Sequence, residues 1–93
     1  MMDEATRAAL DARFDTWTVS SDGTRVAGLK RGDNRAIIID ATTLHEIASI
    51  AGEFERLAWL SGDTRIMATG YHVMTVYDAR TGTRLFHVEG MFP

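Results

Sequence analysis

A stretch of this chain is written twice. Ser20-Ser21-Asp22-Gly23-Thr24-Arg25-Val26 recurs forty residues later as Leu60-Ser61-Gly62-Asp63-Thr64-Arg65-Ile66. Ile39-Asp40-Ala41-Thr42-Thr43 recurs as Tyr77-Asp78-Ala79-Arg80-Thr81, and Ile50-Ala51-Gly52-Glu53-Phe54 as Val88-Glu89-Gly90-Met91-Phe92, both at an offset of 38. The two-residue difference falls between Leu29 and Ala36, where a turn absorbs it. A repeat of this length makes each copy one supersecondary unit, which buries its apolar face only against a neighbour.

The pattern inside each copy is that of short strands. Segments rich in β-branched and aromatic residues fall at 16–20, 26–29, 36–39 and 47–50, and again at 56–60, 66–69, 74–77 and 85–88. Turn residues separate them. Asp22-Gly23 supplies the positive φ of a tight hairpin, and Gly62-Asp63 stands at the matching place. Asp40 and Asp78 each close a strand, where the carboxylate can accept from the backbone two residues on. Gly82 bends the last hairpin, with Leu44 in its place in the first copy. Strict alternation puts Trp17 and Val19 on one face and Thr16, Thr18 and Ser20 on the other. Leu57 and Trp59 occupy the matching positions, so the large residue has moved along the strand with volume roughly conserved. The residues expected to be mostly buried are Trp17, Val19, Val26, Ile38, Leu57, Trp59, Ile66 and Val76.

A repeat near forty residues with four strands per copy resembles the blades of WD-repeat β-propellers. The likeness rests on Val19 to Gly28 as the first hairpin, and on Ala36-Ile37-Ile38-Ile39-Asp40-Ala41-Thr42-Thr43 and Val76-Tyr77-Asp78-Ala79-Arg80-Thr81-Gly82 as the third strand with its Trp-Asp end. Gly52 and Gly90 match the glycine of the family's Gly-His pair. The chain departs from the pattern at several points. Ile39 and Tyr77 replace the Trp, Glu53 and Met91 replace the His, and Ser21 and Gly62 replace the usual Pro. Asp33 matches the family's turn Asp in the first copy, while Tyr71 and His72 occupy that region in the second. The family's His–Asp network is therefore missing, and the blades are expected to rest on apolar packing. The resemblance implies an all-β fold of two four-stranded antiparallel propeller-like blades, completing a ring by oligomerisation. A small sandwich or barrel is the alternative.

The expected organisation is an N-terminal extension at 1–13, a first blade at 14–54 and a second at 55–93. Asp3 can cap a helix running to Arg13 through Ala5, Ala8, Ala9, Leu10 and Ala12. Leu10 and Phe14 also stand forty residues before Ile50 and Phe54, as the outer strand of a preceding blade would. Two blades cannot close a ring of four to eight, and a lone pair is expected to expose two apolar faces. Head-to-tail assembly of the chain with itself would cover them, with six blades from three chains as the leading expectation and four chains next. Docking on another propeller-containing protein would do so as well.

Bulk composition narrows the function. At 93 residues and with no cysteine, the chain holds at most one small domain and has neither a disulfide framework nor a thiolate metal site. Its net charge is −3, and its ten basic residues, all Arg except Lys30, form no run, which argues against nucleic acid as a partner. The acidic N-terminus lacks the features of a secretory signal, and no apolar run is long enough to cross a bilayer, so a cytoplasmic location away from membranes is expected. His45, His72 and His87 do not share a repeat position and show no metal-ligand spacing. No serine lies in a nucleophile elbow, no glycine-rich loop cradles phosphate, and Glu53 and Glu55 read as solvated acids. No catalytic, cofactor-binding or metal-binding residue is expected.

What remains is a loop-lined face. The turns between second and third strands and between successive copies carry Arg31, Asp33, Asn34, Arg35, Glu53, Glu55, Tyr71 and His72. This mix of aromatic, Arg and acid suits a protein or peptide partner. Phe54 and Phe92 are read as core. The expected function is a non-enzymatic protein-binding or assembly module that oligomerises into a propeller scaffold. The alternative is a small inhibitor or adaptor that docks on one specific protein.

Overall fold

The computed structural model describes residues 3–30, 32–33 and 35–90. A helix, α1 (Glu4–Arg13), precedes eight strands: β1 (Thr16–Val19), β2 (Arg25–Leu29), β3 (Arg35–Asp40), β4 (Glu46–Ala51), β5 (Arg56–Trp59), β6 (Arg65–Gly70), β7 (Val73–Asp78) and β8 (Arg84–Glu89). They form two antiparallel meanders, in the orders β1-β2-β3-β4 and β5-β6-β7-β8. These are two propeller-like blades, packed face to face. Arg31, Asn34 and Phe92 lie outside the described residues. No helix among the described residues is long and apolar enough to cross a membrane.

The turns form as their residues dictate. Asp22 Oδ1 accepts from Thr24 N at 2.9 Å, from Thr24 Oγ1 at 2.7 Å and from Ser20 Oγ at 2.7 Å, and Gly23 takes φ +76°. Those donors, Thr24 foremost, lower the Asp22 pKa to about 2. Asp40 Oδ1 accepts from Thr42 N and Thr43 N at 2.7 and 2.9 Å, and Asp78 Oδ1 from Arg80 N at 2.8 Å. Backbone donors therefore lower both carboxylates' pKa values, those of Thr43 and Thr42 leading for Asp40 and that of Arg80 for Asp78. Leu44 holds φ +63° where Gly82 holds +77°, so the repeat's backbone is kept even where the glycine is not.

Each outer strand carries one irregularity at the same repeat position. Register slips between Ile38 and Ile39 opposite β4, and between Val76 and Tyr77 opposite β8. Ile39 pairs with Glu46 and Ile38 with Ala48, leaving Ile47 unmatched; Tyr77 pairs with Arg84 and Val76 with Phe86, leaving Leu85 unmatched. These are β-bulges, and they account for two exposed aliphatic side chains, Ile47 and Leu85.

Every blade has two faces. The leading face of the first blade carries Trp17, Gly28 and Ile37 in one cross-strand row and Val19, Val26 and Ile39 in the next. In the second blade the same rows read Leu57, Ala68, Thr75 and Trp59, Ile66, Tyr77. The trailing face of the first blade carries Ala27, Ile38, Ala48 and Leu29, Ala36, Ile50. This trailing face meets the second blade's leading face, and together they make the main core, with Phe54, Leu57 and Trp59 packed against it. Val26, Ile38 and Ile66 are fully enclosed, while Trp17, Val19, Leu57, Trp59 and Val76 are half-buried.

One expectation needs correction and another an addition. The lone pair was expected to expose two apolar faces, yet α1 covers the leading face of the first blade. Leu10, Phe14, Val26, Ile37 and Ile39 form a second core there. Asp3 Oδ1 caps the helix by accepting from Thr6 N at 2.7 Å, and Phe14 lies flat on Gly28, where a side chain would collide with its ring. The blades were also expected to rest on apolar packing, and they do, but a polar clasp joins them as well. Gly62 and Asp63 take left-handed φ values of 80° and 55°, which turns the Asp63 carboxylate back towards the first blade. It accepts from Ser21 N at 3.0 Å, Ser21 Oγ at 2.5 Å and Asp22 N at 3.1 Å. The Arg25 guanidinium donates to the Asp63 carbonyl and lies 5.1 Å from the Trp59 ring centroid, and Trp59 Nε1 donates to Thr18 O at 3.1 Å. Ser21, through its hydroxyl and amide, holds the Asp63 pKa below the ordinary carboxylate value.

Candidate functional site

The segment 52–55 that joins the blades lies beside the β2–β3 and β6–β7 turns, so one end of the blade pair is a cluster of connections. Gly52 turns there with φ +145°, and the Phe54 ring packs where a side chain at Gly52 would sit. Phe54 also meets Tyr77 edge to face, with centroids 6.2 Å apart. These contacts fix the joining segment and open a cleft of about 1070 Å³ between the blades at this end.

Of the eight loop residues singled out from the sequence, Arg35, Glu53, Glu55 and Tyr71 line this cleft. Asp33 does not line it but pairs with Arg35, Nε to Oδ2, at 3.6 Å. His72 is also outside the lining; it holds φ +62°, and its ring lies tilted by 52° beside the exposed Tyr71 ring, 3.8 Å between centroids. Arg31 and Asn34 lie outside the described residues.

The cleft also contains residues that sequence reasoning missed: Asp15, Lys30, Thr75, His87 and Glu89. His87 and Glu89 reach it because of the β8 bulge, which sends Phe86 and Val88 to one face and His87 and Glu89 to the other. His87 Nε2 lies 3.1 Å from Glu89 Oε1. Thr75, opposite His87 in register, is 1% exposed, and its hydroxyl finds no hydrogen-bond partner among the described residues. The wall combines apolar Leu29, Phe54 and Val73 with a rim of both charges, acid in excess. Such a surface can take a polypeptide segment through apolar contact and rim hydrogen bonds. No three His, Asp or Glu among the described residues are placed to share a metal ion.

A second feature is the trailing face of the second blade. Met67, Val76 and Phe86 form one cross-strand row, and Met74 and Val88 the next. Among the described residues none of these belongs to either core; Phe86 is 52% exposed, and the other four are half-buried. In register they are the counterparts of Ala27, Ile38, Ala48, Ala36 and Ile50, with which the first blade packs on the second.

No protein-family model matches the chain, and no curated protein matches it. Among solved structures it is similar to a propeller-like protein, KlHsv2 with loop 6CD replaced by a Gly-Ser linker. The TM-score is 0.68 over 83% of this chain at 7% identity. The chain spans 28% of the length of that structure. The likeness is one of fold.

Proposed function

We propose that the chain is a non-enzymatic protein-binding or assembly module: a pair of WD-repeat-like blades that joins further copies of itself into a propeller scaffold. The cleft at the loop end is its surface for a protein or peptide. The supporting observation is the bare trailing face of the second blade, which repeats in register the face that already makes a blade–blade interface. A sheet face of this kind left wet forgoes about 25 cal/mol per Å² of apolar burial, so a blade-shaped partner is its natural complement.

Light scattering coupled to size exclusion tests the proposal. Assembly gives two, three or four chains, for four, six or eight blades, and Phe86→Asp returns the protein to a monomer because it charges the bare face. A chain that stays monomeric at high micromolar concentration and unfolds cooperatively rules out self-assembly. The adaptor reading then takes its place. That reading is favoured by the cover α1 provides, which leaves a single bare face for one specific partner.

A further inference from the structure

We infer that the leading face of the first blade, beneath α1, is a second and concealed docking surface, and that its occupant is the bare trailing face of the second blade of another copy. The inference rests on the assembly reading above and names the surface that completes it. The one blade–blade contact seen joins a trailing face to a leading face. A second copy offers one leading face not already used in this way, and α1 sits on it.

The two surfaces are matched in relief over part of their area. Relative to the trailing face of the first blade, that of the second is built up: Met67, Met74 and Phe86 stand where Ala27, Ala36 and Ala48 stand. Relative to the leading face of the second blade, that of the first is cut back: Val19, Gly28 and Ile39 stand where Trp59, Ala68 and Tyr77 stand. Trp17 and Ile37 in place of Leu57 and Thr75 run the other way, as do Thr69, Val76 and Val88 in place of Leu29, Ile38 and Ile50, so the match is confined to part of each face. Methionine, unbranched and adaptable, suits a face that must settle into such a hollow.

The cover is also detachable. Within α1 only Leu10 is buried. Phe14, the residue that caps α1, is buried on Gly28 and must leave with the helix; the polar ties are Arg13 Nη1 to Leu44 O at 3.0 Å and Trp17 Nε1 to Asp11 Oδ1 at 2.8 Å, the latter exposed. A helix of ten residues is too short to persist by itself in water, so α1 exists by virtue of its seat and should melt on leaving it. Leu10 stands one repeat before Ile50, a residue of the trailing face, so α1 and its cap fill with two side chains, Leu10 and Phe14, the place a whole blade face would take.

The test compares the full chain with Leu10→Asp, Ala8→Pro and Leu10→Asp/Phe86→Asp by light scattering over a concentration series, with hydrogen exchange on α1. Leu10→Asp unseats the helix, and Ala8→Pro breaks it without placing charge near the sheet. Both should bring the association midpoint to a concentration at least about tenfold lower, an easing of about 1.4 kcal/mol. Adding Phe86→Asp should reverse the gain, and α1 amides should lose protection in the assembled wild type. If the wild type assembles while both α1 variants associate no more readily and α1 stays protected, the concealed surface is refuted and the assembly reading survives. If no chain associates at high micromolar concentration while all unfold cooperatively, both fall. If both α1 variants lose cooperative unfolding, the helix is not detachable and the inference is overturned.

Discussion

Asp63 is the residue whose removal should do most to separate the blades. Asp63→Ala leaves the Ser21 and Asp22 amides facing a carboxylate that is gone, so the denaturation midpoint should fall, whereas Asp63→Asn, which keeps an acceptor oxygen, should fall less. The same carboxylate sets a pH dependence. A folded pKa lowered beneath the unfolded value means that the stabilisation is fully present above the unfolded pKa and is lost as pH falls through the folded one. Asp63 is lowered in this way, and Asp22 is lowered from 3.8 to about 2. Thermal unfolding followed by circular dichroism should therefore show a midpoint that drops as pH falls from about 4 to about 2. Asp63→Asn should flatten part of that drop. Trp59→Ala removes a half-buried ring with its hydrogen bond to Thr18 O. It should cost about 2–3 kcal/mol in urea unfolding, under the 3–5 kcal/mol of a fully enclosed ring. Gly28→Ala places a methyl group against the Phe14 ring. It should cost about 1–3 kcal/mol through overpacking, and Phe14→Leu should recover part of it.

At the scale of elements, the strands were legible because a strand's pattern is local. Two-residue alternation and turn residues such as Asp22-Gly23 and Asp78 lie within a few positions of each other, and the repeat supplied each assignment twice. What α1 covers was not legible. Ala5 to Ala12 announces a helix, but where a helix docks depends on contacts far along the chain, and the distance from Leu10 to Ile50 was the one hint. The Asp63 clasp was hidden for a related reason. Gly62-Asp63 reads as an ordinary turn, and only the left-handed pair of φ values aims the carboxylate at Ser21. The cleft was half legible. Arg35, Glu53, Glu55 and Tyr71 sit in connections, where exposed polar residues draw notice. His87 and Glu89 sit in a strand, and which face they take is decided by a bulge that no composition reveals.

The molecule as a whole has two unlike ends, one blade face seated under a helix and the other bare. If the bare face is an assembly surface, stability must depend on protein concentration, since association adds free energy only to the folded form. The thermal midpoint should climb between about 1 and about 100 µM in the wild type and stay level in Phe86→Asp, by calorimetry or circular dichroism. The two bulges carry a separate consequence. An outer strand that is long and flat offers its unpaired amides and carbonyls to any other chain and so seeds fibrils. Here β4 and β8 are each kinked at the same point, with Glu46 just before one kink and Arg84 just before the other, and with His87 and Glu89 further along β8. Twist and charge together spoil these two outer edges as templates for cross-β growth, so the uncovered apolar sheet face is not joined to a flat outer edge that would draw the chain into amyloid.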